Sequence, residues 1–130
     1  MVCLDSDLLV SFLRRQPQAL QAMEKLNGME KLSTTIVTVC ELFEGAASAT
    51  DPIRASLSLD ALLSQMTILD LDYASARIFG QARFSLRRKG MPLEDMDLLI
   101  GSIAYSHGEE LITRNRKHFE RVPGLKIKTW

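Results

Sequence analysis

The sequence predicts an α/β fold in which a small parallel β-sheet is wrapped by helices. Short apolar or β-branched segments alternate with longer amphipathic segments along all 130 residues, which is the order typical of strands joined by crossover helices. The predicted strands are short and the helical segments are many, so the sheet is small. No repeat, low-complexity tract or linker divides the chain, and we therefore expect a single domain over residues 1–130.

In the first half of the chain, two predicted strands each lead into a helix. The predicted elements are a strand Val2–Leu4, a helix from Ser6 or Asp7, a helix Ala19–Leu26 ending near Gly28, a strand Leu32–Val37, a helix opened by Thr38–Glu41 and a helix from Asp51-Pro52. Thr38 and Glu41 have the spacing of a capping box, in which a hydroxyl and a carboxylate satisfy the free N–H groups of a helix start. Taken alone, that pattern explains Glu41 without any functional role.

The second half of the chain continues the alternation. The predicted elements are a strand Met66–Leu71, a helix Tyr73–Lys89 capped by Asp72 and closed by Gly90, a helix Met96–His107 closed by Gly108, a strand Glu110–Thr113 and an edge strand Leu125–Thr129. Glu94 and Asp95 come directly before the helix that begins at Met96 and are its expected caps.

Composition excludes several classes of protein. Lys and Arg number 16 and Asp and Glu number 16, so no global charge indicates a nucleic-acid or membrane partner. No segment is long and apolar enough to span a bilayer, and the apolar start is too short for a signal peptide, so we expect a cytoplasmic protein. Cys3 and Cys40 form no CxxC or zinc-binding spacing, and we expect both to be reduced, buried thiols.

Ligands of parallel sheets collect at the carboxyl ends of the strands, and several acids of this chain fall there. Asp5 follows the first predicted strand, Glu41 comes soon after the second, and Asp97 lies at the start of a late helix. Alone, each acid is explained as a helix cap or a first-turn residue. Carboxylates that converge repel one another unless they share a proton or a cation, and oxygen ligands favour Mg²⁺ or Mn²⁺. Such a cluster suits metal-assisted hydrolysis of a phosphodiester.

At these residues the sequence resembles the PIN-domain ribonucleases, in particular the VapC-type toxins of prokaryotic toxin–antitoxin pairs. The resemblance covers nearly the whole chain, and four segments in this order carry it: "VCLDSDLLVSFL", "STTIVTVCELFEGA", "GMPLEDMDLLIGSIAYSHG" and "ELITRNRKHFERVPGLKIKTW". It implies a PIN-like α/β/α fold and a metal-dependent endoribonuclease. It also implies an antitoxin protein as a partner, RNA as the substrate and a homodimer.

The resemblance also implies roles for individual residues. Asp5 and Asp97 match acids that bind Mg²⁺ or Mn²⁺ directly, and Glu41 matches an acid that binds it through water. Ser6 matches a small hydroxyl position beside the first acid, and Thr113 matches a hydroxyl position at the last strand of the site.

One position departs from the family pattern. Many members carry a fourth acid where this chain has Asn115, which contributes a neutral carbonyl oxygen and an amide but no negative charge. We therefore expect weaker binding of a second metal ion and include Asn115 among the catalytic candidates. Beside an acidic site, Arg114, Arg116 and Lys117 are the candidates to neutralise RNA phosphates.

Two alternatives stay open from the sequence. The "CLDSDLLV" segment imitates the DxD motif of haloacid dehalogenase-like phosphatases, in which Asp5 would be the nucleophile and Asp7 the general acid. The fold could also serve as an RNA- or protein-binding module with a weakened site, for which Asn115 gives some support.

Overall fold

The computed structural model describes residues 1–130 and contains a five-stranded, entirely parallel sheet flanked by helices, so the predicted α/β fold class is confirmed. The strands are β1 (Val2–Leu4), β2 (Leu32–Thr35), β3 (Thr67–Leu69), β4 (Glu110–Ile112) and β5 (Ile127–Lys128). The helices are α1 (Ser6–Leu13), α2 (Pro17–Met29), α3 (Ile36–Ala47), α4 (Pro52–Leu63), α5 (Tyr73–Arg88), α6 (Asp95–Ser106) and α7 (Arg116–Phe119).

Strand β1 is the centre of the sheet, whose order is β3-β2-β1-β4-β5. Cys3 pairs with Ser33 of β2 on one side and with Leu111 of β4 on the other. Because all the strands point the same way, the chain leaves β1, β2 and β4 at the same edge of the sheet. This edge receives the segments that begin at Asp5, after Thr35 and at Thr113.

The two faces of the sheet bury different helices. Side chains of a strand alternate between faces, so Val2 and Leu4 pack into a core with residues of α1, α2, α3 and α4, whereas Cys3 packs into a second core with residues of α6 and α7. Helix α5 covers the outer side of α6 through a third cluster that includes Leu86 and Leu98. The sheet is therefore a buried central layer between two layers of helices.

Buried hydroxyls attach β2 to the backbone of β1. Ser33 Oγ donates to the Val2 carbonyl at 2.8 Å, and Thr34 Oγ1 donates to the Leu4 carbonyl at 2.7 Å. Both side chains are fully buried, where an unpaired hydroxyl would be costly. These bonds explain why a strand inside the sheet carries Ser and Thr, and they fix the last carbonyl of β1 next to Asp5.

The predicted capping box of α3 is wrong. Strand β2 ends at Thr35 rather than Val37, and α3 begins at Ile36. The cap is Thr35, whose hydroxyl oxygen accepts from the Thr38 N–H at 3.0 Å. Ile36 and Val37 favour a strand locally, but this cap begins the helix earlier. Glu41 consequently lies inside α3 and has no capping role.

Other boundaries and exposures also differ from expectation. Helix α2 continues through Gly28 to Met29, and β3 and β5 are shorter than predicted. Glu94 is the N-cap residue of α6 but makes no side-chain capping bond. Cys3 is buried as expected, whereas Cys40 is exposed because it faces outward on α3. The chain forms no helix with both the length and the apolar character needed to cross a membrane.

Gly101 gives a direct test of how α6 packs. A Cβ added there would lie 2.8 Å from Val122 Cγ2, and Val122 is itself buried and β-branched, so it has little room to move. We expect Gly101→Ala to lower the free energy of unfolding by about 1–3 kcal/mol, measured by urea denaturation. The matched control is Gly80→Ala in α5, where a Cβ meets nothing within 4 Å and the change should stabilise by roughly 0.5–1 kcal/mol. Equal effects at the two sites would contradict this packing.

Candidate functional site

Asp5 occupies the junction between β1 and α1 and is held from two directions. One carboxylate oxygen, Oδ1, accepts from the Ser6 backbone N–H at 2.8 Å, which makes Asp5 the N-cap of α1. The other, Oδ2, accepts from the Thr113 hydroxyl at 2.7 Å. Only 5% of Asp5 is exposed, so the acid that follows β1 is joined inside the protein to the residue that follows β4.

Burial makes Asp5 an unusual carboxyl group. Desolvation raises its pKa to about 6 from an ordinary value of 3.8, the bond from Thr113 opposes that rise, and the charges of Asp7 and Glu41 add to it. A carboxylate that is costly to ionise on its own is stabilised when a cation approaches. The shift therefore indicates a site with uncompensated negative charge.

Glu41 reaches the same region from the second turn of α3. Burial and the neighbouring Asp97 carboxylate raise the pKa of Glu41, and the Ser6 side chain partly offsets the rise. Its buried Oε1 atom has no hydrogen-bond partner. Buried polar atoms are nearly always paired, so this oxygen is free to bind a water molecule or a cation.

Asp97 faces the site from the first turn of α6, and the segment after β4 approaches it from the other side. His118 Nδ1 lies 3.2 Å from Asp97 Oδ2 and 3.0 Å from Asn115 Nδ2. This nitrogen can donate to the carboxylate or accept from the amide, but one tautomer cannot do both. The Asn115 backbone N–H donates to Thr113 Oγ1 at 3.0 Å, so Asn115 and Thr113 form one connected group beside the acids.

The donor chemistry of this group fits a hard divalent cation. No three Asp, Glu, His or Cys groups already stand at the mutual distances of a closed metal cage. Mg²⁺ does not require such a cage, because it usually keeps several waters and binds through one or two carboxylates. Asp5, Glu41 and Asp97 supply the oxygens, and the unpaired Glu41 Oε1 is an atom that a bound cation or its water would satisfy.

Asp7 makes long-range hydrogen bonds that its predicted place in the first turn of α1 did not indicate. Its Oδ2 atom accepts from the Arg114 N–H at 2.8 Å and lies 3.2 Å from the Thr113 hydroxyl, and its Oδ1 atom accepts from the Trp130 indole N–H at 3.2 Å. Both oxygens are thereby engaged inside the protein. The sequence did not identify these partners of Asp7, nor His118 and Trp130 as neighbours of the acids, because only the fold brings these segments together.

The three basic candidates differ in how freely they can reach a ligand. The Arg114 guanidinium carbon lies 3.6 Å from the centre of the Trp130 ring, and the same group bonds Gln18 and the backbone oxygen of Trp130. Arg116 donates to the Ile127 carbonyl at 3.0 Å. Lys117 is exposed and makes no side-chain hydrogen bond or ion pair, so it is the freest of the three.

Comparison with known proteins identifies the family. The family model described as "PIN domain" matches residues 2–125. The tRNA(fMet)-specific endonuclease VapC of Salmonella typhimurium is 31% identical over 127 residues, which cover 98% of this chain and 96% of that relative. Ribonuclease VapC2 of Haemophilus influenzae is 30% identical over 128 residues, with the same shares of both chains covered.

Solved structures agree with these relatives. The DNA-bound VapBC structure from Salmonella typhimurium matches with a TM-score of 0.89 and 30% identity, over 100% of this chain and 99% of that one. VapBC2 from Rickettsia felis, bound to a DNA fragment from its promoter, matches with a TM-score of 0.90 and 26% identity over the same shares. These matches confirm the family predicted from the sequence: the chain belongs to the PIN-domain family, as a VapC-type ribonuclease.

Proposed function

We propose that this protein is a divalent-metal-dependent endoribonuclease that cleaves RNA phosphodiesters and acts as the toxin of a toxin–antitoxin pair. The observation that carries the proposal is the meeting of Asp5, Glu41 and Asp97 at one edge of the sheet, with a buried Glu41 oxygen that has no partner. The names of the full-length relatives, which are ribonucleases, support the same reaction class.

In this proposal Asp5 and Asp97 bind Mg²⁺ or Mn²⁺ directly and Glu41 binds through water. When bound, the cation lowers the pKa of its water and offsets charge on the phosphate. Side chains of the protein position these ligands and the substrate. Thr113 orients the Asp5 carboxylate through its 2.7 Å bond, and Ser6 stands beside Glu41. Asn115 offers a neutral amide where a fourth acid would add charge.

The proposed substrate is a structured RNA. Lys117 and Arg116, which are both exposed and follow Asn115 in the chain, would neutralise its phosphates, whereas Arg114 is occupied by Trp130. The chain has few aromatic residues, 6% of the total, so there is little surface for stacking single-stranded bases. Two relatives carry names that specify tRNA(fMet), which supports a folded RNA as the class to test first.

An antitoxin protein and a homodimer complete the proposal. The structural relatives were solved as VapBC complexes, which supports a protein partner for this chain. Two large apolar side chains of α4 lie on the surface, with Ile53 77% exposed and Leu57 64%. Exposed apolar groups on α4 are consistent with contact to another chain.

The comparisons favour the nuclease over the two alternatives. A phosphatase of the DxD type needs Asp7 free to act as a general acid, whereas Asp7 accepts hydrogen bonds on both oxygens. A weakened binding module would not need three acids held close together against their mutual repulsion.

Removing either direct ligand should stop RNA cleavage. We expect Asp5→Asn and Asp97→Asn each to lower the rate by at least roughly 100-fold, because loss of a ligand costs more than loss of a supporting bond. The measurement is Mg²⁺- and Mn²⁺-dependent cleavage of total tRNA and of an unstructured oligonucleotide, with thermal unfolding as a check on the fold. Asp60→Asn, an exposed acid of α4, is the matched control. Full activity in both site variants would refute the proposal.

Stability without metal should depend on pH through Asp5. The pKa of Asp5 is about 6 when folded and 3.8 ordinarily, so the folded protein holds the proton more tightly than the unfolded chain. The contribution of Asp5 to the free energy of unfolding is therefore fully present below pH 4. It is lost as the pH rises through 6, and the total loss is about 3 kcal/mol. Urea unfolding in a chelator should show that, from pH 4 to 7, the free energy of unfolding of the wild type falls relative to that of Asp5→Asn. A difference that stays constant across this range would contradict the assigned environment.

The charge at position 115 should set how tightly the site binds cations. We expect Asn115→Asp to bind Mn²⁺ several-fold more tightly than wild type, because ligand charge tunes affinity for hard cations. Isothermal titration calorimetry measures both the affinity and the number of ions bound. Asn115→Ser adds no charge and serves as the control; if it tightens binding as much as Asn115→Asp does, the charge argument fails.

A further inference from the structure

A set of contacts that no part of the proposed chemistry uses surrounds Asp7, and we call Asp7, Arg114 and Trp130 the clamp. Trp130 Nε1 donates to Asp7 Oδ1 at 3.2 Å, while the backbone N–H of Arg114 donates to Asp7 Oδ2 at 2.8 Å. The Arg114 guanidinium lies over the Trp130 ring at 3.6 Å and donates to the Trp130 backbone oxygen. The clamp therefore joins α1, the segment after β4 and the segment after β5.

The clamp lies next to the Thr113 hydroxyl, which donates to the Asp5 carboxylate. Thr113 has one hydroxyl proton, and its oxygen lies 2.7 Å from Asp5 Oδ2 and 3.2 Å from Asp7 Oδ2. The shorter distance assigns the proton to Asp5. Asp7 holds the following backbone N–H, that of Arg114, and so fixes the position from which Thr113 donates. Movement of this segment by a fraction of an ångström would lengthen or break the bond to Asp5.

The Trp130 indole keeps the Asp7 carboxylate in the orientation that accepts from the Arg114 backbone N–H. A carboxylate engaged on Oδ2 alone is free to rotate toward solvent or toward the acids of the site, and the Trp130 N–H restrains its other oxygen. Arg114 in turn restrains the indole by covering its face. The other three Arg–aromatic pairs of the chain are wider, at 5.2 to 5.7 Å, and lie on α5. None of them shares a hydrogen bond with a residue of the site.

We propose that Trp130 and Asp7 are positioning residues of the ribonuclease, which hold Thr113 in place to orient the Asp5 carboxylate. This inference rests on the proposed function for its kinetic consequence, but the contacts themselves can be tested without RNA. Neither residue touches the substrate in this scheme. Their loss lowers the rate at which the bound RNA is cleaved and leaves the binding of RNA unchanged.

The kinetic test uses Trp130→Phe, Asp7→Asn and the double variant. Phe keeps a ring under Arg114 but has no N–H, and Asn keeps the shape of Asp7 but offers one acceptor oxygen instead of two. We expect each single variant to lower kcat about tenfold, the lower end of the range for supporting bonds, with KM within twofold of wild type. The double variant should be no slower than the slower single variant, because both changes break the same connection. Phe84→Leu, under Arg88 on α5, is the matched control and should leave kcat unchanged.

A second measurement needs no activity. The chain has a single Trp, so a ¹H–¹⁵N spectrum shows one indole N–H resonance. We expect this proton to exchange slowly in wild type and at least several-fold faster in Asp7→Asn, while Phe84→Leu leaves it unchanged. Thermal unfolding of each variant verifies that the comparison is between folded proteins.

The outcomes separate the inference from the function on which it rests. An inactive wild type with a protected, Asp7-dependent indole proton would overturn the proposed function and leave the clamp intact. An active wild type with unaltered kcat in both single variants, with additive losses in the double variant, or with a raised KM and constant kcat would overturn the positioning role. An indole proton that exchanges at the same rate in wild type and Asp7→Asn would overturn the clamp itself.

Discussion

The parallel pairing of β1 between β2 and β4 is the constraint on which the candidate site depends. The Val2–Leu4 strand is too short to be stable alone, and it is held by backbone bonds on both sides and by the hydroxyls of Ser33 and Thr34. Because the three strands run the same way, they deliver Asp5, α3 and Thr113 to one edge. A 108-residue separation between Asp5 and Thr113 is thus closed by a single 2.7 Å hydrogen bond.

The same constraint creates an electrostatic cost. Asp5 is buried and Glu41 is partly buried, and the resulting desolvation, together with neighbouring acids, raises the pKa of both groups. Hydrogen bonds from Ser6 and Thr113 compensate Asp5, but one Glu41 oxygen has no compensation within the chain. Proteins tolerate such local destabilisation where function requires it. The distribution of satisfied and unsatisfied oxygens supports the assignment of the edge to cation binding rather than to helix capping alone.

Much of this arrangement could be predicted because its signals are local. The apolar run before Asp5, the hydroxyl-rich run of β2 and the acid at the start of α6 each mark a junction, and the parallel topology then implies that they meet. The start of α3 was mispredicted because Ile36 and Val37 have strand propensity, whereas the Thr35 cap, held in place by the sheet, sets the true boundary.

The contacts that sequence reasoning missed are those with no periodic signal. Asp7 resembles an ordinary first-turn acid, and Trp130 lies 123 residues away from it. His118 lies 21 residues from Asp97, at a distance set by how α7 folds back after β4. Tertiary geometry alone pairs these side chains, so neither spacing nor propensity could have identified them.

The proposed function requires that the carboxylates at the edge of the sheet form one divalent-cation site. The most direct measurement is a crystal structure with Mn²⁺, in which anomalous scattering locates the metal. We expect a peak within direct coordination distance of the Asp5 and Asp97 carboxylates, with Glu41 on the same ion directly or through water, and no such peak in Asp5→Asn. A Mn²⁺ ion bound elsewhere, or no ion at millimolar Mn²⁺, would contradict it.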